Sequence, residues 1–191
     1  MAVSRVVGAV FFLAVALFAG CEGFGSGAPT SACTTMQPGH LNNGTSVAAQ
    51  NSTSPYSIVP GTSSYTAGGT VSVQILGPVF QGFLLQARQT GMTTPVGTFS
   101  NAPNNTKTTM CTAADSSMTH DNTNAKENIT LTWTAPSTTM GNIEFVATIA
   151  DVKTTYWMNV KSSEISGATI TRATAYVILF SLISTVYCLQ A

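Results

Sequence analysis

The fold is decided by the stretch Ile143-Glu144-Phe145-Val146-Ala147-Thr148-Ile149. Its apolar side chains recur at every second position, which is the period of a β-strand with one buried face. We therefore expect the odd-numbered residues to face a core, and Glu144 and Thr148 to face outward. No part of the chain between the two end segments shows sustained helical periodicity.

The same alternation recurs along the chain, at residues 71–75, 83–88, 129–133 and 156–160. Shorter strands are predicted at 57–59, 96–99 and 106–111, and clusters of Gly, Pro, Asn and Ser separate them. Many short strands joined by turns in one domain are typical of a β-sandwich. The sequence thus predicts an all-β, immunoglobulin-like antiparallel β-sandwich of about seven to nine strands.

Charged residues are scarce in this chain of 191 residues. They make up 7% of it, with seven Lys and Arg against seven Asp and Glu, while 44% is hydrophobic. Soluble domains usually contain about 25% charged residues. A nucleic-acid partner is not expected, because phosphate binding needs a basic surface. The missing charge is replaced mostly by Ser, Thr, Asn and Gly.

Residues 1–23 have the pattern of a secretory signal peptide. Arg5 provides the positive end, residues 6–19 are apolar, and small residues follow. A signal anchor is disfavoured because a membrane span needs about 20 apolar residues. A bacterial lipoprotein signal at Cys21 is the other alternative. We expect a secreted protein.

The C-terminal residues 173–191 form a second apolar segment without charge, preceded by Arg172. A cation on the lumenal side opposes the positive-inside rule, so a GPI-anchor signal is favoured over a short transmembrane helix. Ser166 is one candidate attachment residue, and Ser162 and Ser163 are the others. This division leaves a domain at 24–161, a spacer at 162–172, and membrane association through the tail or a lipid anchor.

Two cysteines, Cys33 and Cys111, remain between the predicted end segments. In an oxidising compartment they are expected to form one disulfide, and a reactive or metal-binding thiol pair is the alternative. Such a bridge closes a loop of roughly 80 residues, for which the chain-entropy model gives about 4–5 kcal/mol. Four Asn-x-Ser/Thr sequons predict surface N-glycosylation, at Asn43, Asn51, Asn104 and Asn128.

Several short motifs together cover nearly all of residues 27–161. They include Ala32-Cys33, the run from Gly82 to Arg88, Thr119-His120 and Trp133-Thr134-Ala135-Pro136. With them the chain resembles the reeler (reelin-type) domain, found in small secreted insect defence proteins, reelin, F-spondin and ferric-chelate reductase 1. The resemblance implies an immunoglobulin-like sandwich and a role in extracellular recognition or innate defence. We expect no redox module beside this domain, so reductase activity is not carried over.

Catalysis and metal binding have little support in the residues. Ser116, His120 and Asp121 are neighbours in one predicted loop, which is unsuited to a catalytic triad. His40 and His120 are the only histidines and lack metal-ligand spacing, so they are weak metal candidates beside Asp121. Hydrogen bonding to loop backbone is their expected role, and no cofactor is expected.

We therefore expect a non-enzymatic recognition or adhesion module with an extracellular protein or glycan ligand, acting in innate defence. The candidate binding loops are residues 92–95, 101–105 and 115–124, because sandwich domains bind through loops. A direct antimicrobial effector is one alternative, disfavoured by the neutral charge. An accessory domain for metal or redox handling is the other, by analogy with the reductase-linked members. Arg88 is expected to be a satisfied cation at the end of its strand, with its stem over the edge of the core, and a ligand contact is the alternative.

Overall fold

The computed structural model describes residues 24–168, which form thirteen β-strands and one 3-10 turn at Thr30–Ala32. The strands are β1 Leu41–Asn42, β2 Thr45–Ser46, β3 Ser57–Pro60, β4 Ser64–Tyr65, β5 Thr70–Leu76, β6 Gly82–Gln89, β7 Thr98–Ser100, β8 Thr106–Thr109, β9 Ser117–His120, β10 Ile129–Thr134, β11 Asn142–Val152, β12 Thr155–Lys161 and β13 Ile165–Gly167. Eight of them have four residues or more, within the predicted seven to nine. Within this range no helix is long and apolar enough to cross a membrane.

Two sheets make up the sandwich. The smaller has the order β3-β5-β10-β7, and the larger has the order β4-β13-β11-β6-β9-β8 with β12 also paired to β11. All pairings are antiparallel except that of β13 with β4. The predicted all-β fold with one disulfide is confirmed.

The main core lies between the two sheets, where alternate side chains of each strand meet. Strand β5 alternates exposed and buried residues along almost its whole length. From the other sheet, Phe145 packs edge-to-face on Trp133 with ring centroids 5.5 Å apart, and Tyr65 does the same on the other side of Trp133. The indole N–H of Trp133 donates to the Val96 carbonyl, so its one polar atom is satisfied.

The two central strands of the larger sheet depart from the predicted alternation. Strand β6 is buried from Gly82 to Arg88 and β11 from Ile143 to Ala150, with no exposed residue between these ends. The expectation that Glu144 and Thr148 face solvent is therefore wrong. Their exposed fractions are 7% and 4%. A second layer of chain must cover this outer face.

That layer is the segment of residues 24–50, called here the N-terminal cover. Ala32 and Met36 of the cover form a small apolar cluster with Leu84 of β6. The hydroxyl of Thr148 donates to the Met36 carbonyl at 2.7 Å, and the Thr119 hydroxyl accepts from the Ala28 N–H at 3.0 Å. The cover therefore satisfies polar side chains of the sheet as well as apolar ones.

A disulfide and a buried arginine hold the middle of the cover. Cys33 is bonded to Cys111, which lies between β8 and β9 at a sequence separation of 78. The Arg88 guanidinium donates to the carbonyls of Cys33 and Thr34 and also to the Gln86 side chain. Burial lowers the pKa of Arg88, and the Glu144 carboxylate opposes that shift. Arg88 is thus a hydrogen-bonded cation near the end of β6, and its partners make it a buried anchor of the cover.

Some predicted boundaries shift. Residues 115–124, expected as a loop, contain β9, whose four residues are all buried. The fold also continues past Lys161, because Ile165–Gly167 forms β13 within the stretch expected as a spacer. The predicted signal peptide at 1–23 and apolar tail at 173–191 lie outside the described residues.

Candidate functional site

A partly open cavity of about 150 Å³ lies where the N-terminal cover meets the start of β6 and the end of β11. Three parts of the chain form it. They are the N-terminal cover, the strands β6 and β9 with the residues next to them, and β11 with the turn that follows it. The lining residues are, from the cover, Phe24, Gly25 and His40; from the second part, Gln81, Gly82, Phe83, His120 and Thr123; and from the third, Thr148, Ala150, Val152 and Lys153. Most of the surface that they present is apolar.

Both ring nitrogens of His120 form hydrogen bonds with backbone groups. Its Nδ1 accepts from the Phe83 N–H at 3.1 Å, and its Nε2 lies 2.8 Å from the Phe24 carbonyl. These partners fit a neutral ring with the proton on Nε2, because a carbonyl only accepts. A Cβ at Gly82 would come within 3.3 Å of the ring, so the glycine leaves it room. His120 therefore ties the first described residue to β6, which is the backbone-bonding role expected of it.

His40 is in a different situation. Its Nδ1 is buried and has no hydrogen-bond partner among the described residues. Its ring packs edge-to-face on Tyr156 with centroids 5.4 Å apart. Burial lowers the pKa of His40 below 6.5; the nearby backbone of Lys153 opposes this, and the charge of Lys153 adds to it. At neutral pH the ring is thus an uncharged polar group whose Nδ1 has no partner among the described residues.

A second buried cation shapes the rim of the cavity. Lys126 is 3% exposed, and its ammonium donates to the carbonyls of Gln81, Asn122 and Asn124 at 2.7–2.8 Å. These bonds use all three of its donors. Burial lowers the pKa of Lys126, while Asp121 raises it. The loop after β9 is therefore pinned beside Gln81, a lining residue.

The weak candidates for catalysis or metal binding do not assemble into such a site. The Ser116 hydroxyl accepts from the N–H groups of Cys111 and Thr112, which makes it a turn residue. Both nitrogens of His120 are engaged with the backbone. Within residues 24–168 no group of three His, Cys, Asp or Glu side chains is placed to hold a metal ion.

The three candidate binding loops lie in two places. Residues 101–105 join the loop after β9, because Asn122 donates to the Asn105 side chain and the Asp121 N–H donates to the Asn105 carbonyl. Both lie at the cavity end of the sheet, since Thr106 pairs with His120. Residues 92–95 follow the opposite end of β6, where Met92 is 58% exposed. The expected loops therefore do not form one continuous surface.

The predicted modification residues lie at the surface or on β13. All four sequon asparagines, Asn43, Asn51, Asn104 and Asn128, are exposed. The Ser162 hydroxyl accepts from the Phe145 N–H and donates to the Ser163 carbonyl. Ser166 lies in β13, where its N–H donates to the Ser63 carbonyl. Glycosylation and anchor attachment remain predictions.

Comparison with protein families is consistent with this architecture. The family model described as "Reeler domain" matches residues 31–172, which is most of the chain. The chain belongs to the Reeler domain family. The resemblance proposed from the short motifs is thereby confirmed. The match includes the disulfide and β13, which lies within the stretch expected as a spacer.

Two kinds of relatives are similar to this Reeler domain chain, one of nearly the same length and one much longer. It is 36% identical over 163 residues to "Putative defense protein Hdd11" of Hyphantria cunea, covering 81% of this chain and 94% of that protein. It is 32% identical over 161 residues to "Putative ferric-chelate reductase 1" of Danio rerio, covering 82% of this chain but only 27% of that protein. The chain therefore spans nearly the whole of the Hyphantria cunea protein and about a quarter of the Danio rerio protein.

Solved structures support the fold alone. The crystal structure of the human F-spondin reeler domain superposes with a TM-score of 0.51 at 16% identity, covering 64% of this chain and 94% of that one. At this identity the likeness concerns the arrangement of strands. It carries no information about a shared ligand.

Sequence patterns did not indicate most of the cavity. Phe24, Gly82, Ala150 and Lys153 come from separate parts of the chain and share no motif. The only indication came from the two histidines of the chain, His40 and His120, and both line the cavity. Their convergence depends on the path of the N-terminal cover, which periodicity does not encode.

Proposed function

We propose that this protein is a non-enzymatic extracellular recognition module with a role in innate defence, either secreted or held at the cell surface. The cavity between the cover and the larger sheet carries this proposal. It is a concave, mostly apolar site with a few polar groups, which is the usual form of a ligand pocket. The scaffold around it is held by a disulfide, a buried arginine and a buried lysine.

Family membership supports the proposal. The chain matches nearly the full length of a Hyphantria cunea protein named as a defence protein, whereas it matches a quarter of a protein named as a reductase. A role that needs only this domain fits the shorter relatives better. A redox or metal accessory role has weaker support, since the backbone hydrogen bonds of His120 leave it no free nitrogen for an ion.

The test is a binding screen with protein purified from cells that express the full 191-residue chain. Immobilised bacterial polysaccharides, heparin and host-surface proteins would be probed, together with growth of bacteria in the presence of the protein. Specific binding without killing supports the recognition module. Killing at concentrations that give no surface binding would favour the antimicrobial effector instead.

The cells that express the full chain also provide a test of the surface anchor. Phospholipase treatment of expressing cells should release the protein if a GPI anchor holds it, and protein that stays in the membrane would refute the anchor. The structure supports an attachment point after β13. Cleavage after Ser162 or Ser163 would remove Ile165, which is fully buried in the core. Cleavage after Ser166 would remove the Gly167 and Ala168 N–H groups that bond to Gly141 and Tyr65.

A further inference from the structure

The size of the cavity limits what it holds. An engineered apolar cavity of about 150 Å³ in another protein admits benzene. The cavity beside His40 has the same volume, is partly open, and is walled by Phe24, Phe83, Ala150 and Val152. An occupant of one ring or a short branched chain fits this space. A sugar chain or a peptide would place one ring or one short side chain in it, with the rest of the ligand outside.

One buried polar atom of a lining residue lacks a partner. A buried donor or acceptor without a hydrogen bond costs about 1–3 kcal/mol. The Nδ1 of His40 is such an atom, while the neighbouring polar groups of His120 and Thr148 are bonded within the protein. Solvent does not reach this atom in the described arrangement, so a ligand with a polar group recovers that cost only when the His40 ring turns Nδ1 toward the cavity that it lines. Purely hydrocarbon ligands give no such gain.

Charge at the cavity has one sign. Lys153 is the only Lys, Arg, Asp or Glu among the lining residues, and it is exposed at the turn between β11 and β12. The one ion pair found in residues 24–168 joins Lys161 to Glu144, so Lys153 is not paired in this part of the chain. Since no carboxylate lines the cavity, the site favours an anionic group over a cationic one.

We infer that this cavity binds small amphipathic monoanions, with ring-sized carboxylates as the ligand class. The apolar body lies among Phe24, Phe83, Ala150 and Val152, and the carboxylate lies toward His40 and Lys153. The inference rests on the proposed function, because it assigns a ligand to the cavity of that recognition module. It goes further in naming size, polarity and charge.

The experiment is a titration of the purified full chain with a series of small probes, followed by calorimetry and by the NMR signals of the two histidine rings. Benzoate is the central probe, for which we expect a Kd on the order of 100 µM. Acetate is too small, 2-naphthoate too large, benzyl alcohol uncharged and benzylamine of the opposite charge. We expect benzoate to bind more tightly than each of these.

Two substitutions locate the site. Lys153→Met removes the charge and should weaken benzoate roughly threefold, as for an exposed ion pair, without changing benzyl alcohol binding. Lys107→Met is the matched control, since Lys107 is also exposed but does not line the cavity. His40→Phe keeps the ring and removes the free nitrogen, and should weaken benzoate about tenfold. Thermal unfolding of each variant verifies that it is folded.

Clear results would overturn the inference. Benzylamine binding as tightly as benzoate would exclude the anion preference, and no heat or histidine shift with millimolar benzoate would exclude the ligand class. Equal loss in the Lys107 and Lys153 variants would place the effect outside the cavity. If benzoate fails while the binding screen finds a surface ligand, the inference falls and the recognition function stands. If benzoate binds and the screen finds nothing, the recognition function falls and the cavity assignment stands.

Discussion

The core face and the outer face of the larger sheet are both buried, but the side chains on them differ. On β6 the core face presents Phe83, Leu85 and Ala87, whereas the outer face presents Leu84, Gln86 and Arg88. The core face meets the apolar side chains of the second sheet. The outer face meets the N-terminal cover, which brings backbone carbonyls as well as Ala32 and Met36.

The difference concerns how each contact is stabilised. Apolar burial is non-directional and scales with the area removed from water, so the core face tolerates imprecise partners. Buried polar groups need specific partners at hydrogen-bond distance, so the outer face depends on the exact position of the cover. The cover should therefore be the first part of the domain to open, with the sandwich core as the last.

Disruption of the core face should have the largest effect. Trp133→Ala removes a fully buried indole between Tyr65 and Phe145, and we expect a loss of about 3–5 kcal/mol in the free energy of unfolding. Trp157→Ala is the matched control, because Trp157 is only partly buried. Denaturant unfolding measures both. Equal losses would show that the core between the sheets is not the main source of stability.

Removal of the disulfide should affect the cover next. Replacing Cys33 and Cys111 together by Ala releases a loop with a separation of 78 residues, and we expect a loss of about 2–4 kcal/mol. Hydrogen exchange should accelerate first at the amides of Ala32 and Met36, whose N–H groups bond within the cover. Exchange that accelerates equally in β5 would mean that the cover and the core open as one unit.

Replacement of the buried Arg88 tests the polar contacts between the cover and the larger sheet without removing the disulfide. Arg88→Met keeps much of the side-chain length but leaves the Thr34 carbonyl without its donor and the Cys33 carbonyl with the Gln86 amide alone, and about 1–3 kcal/mol should be lost. In the background without the disulfide the same substitution should cost less, because the carbonyls are then free to reach water. Additive losses in this double-mutant cycle would show that Arg88 holds the cover independently of the disulfide.

How far the sequence predicts this arrangement follows from the same contrast. The alternation of residues 143–149 identified the core face of β11 correctly, since apolar periodicity reports burial against a hydrophobic layer. It failed for Glu144 and Thr148, because a polar residue carries no sign of whether its partner is water or protein. Thr148 bonds to Met36, which is 112 residues away in sequence, and no local pattern encodes that contact.

The cavity was beyond prediction for a related reason. Strand β9 was expected as a loop because Ser, Asp and Asn dominate residues 115–124, yet Ser117 and Thr119 are buried under the second layer. Polar side chains that bond to the cover resemble loop residues in composition. The disulfide was the one element of the cover that the residue types did reveal, because cysteine pairing depends on count and compartment.

The smallest expected effect concerns pH, at the place where cover and sheet enclose His40. Because the folded protein lowers the pKa of His40 below its ordinary 6.5, the unfolded chain binds the proton more readily. Stability should therefore be unaffected by His40 above about pH 7.5 and should fall as the pH drops through 6.5 toward the folded pKa. The wild-type protein should lose more stability than His40→Gln between pH 7.5 and 5.5, as measured by denaturant unfolding at each pH. Lys153→Met should reduce the difference, since the charge of Lys153 contributes to the lowered pKa. A difference of the opposite sign would mean that the cover holds His40 as a cation, and that the cavity presents a positive ring rather than a neutral one.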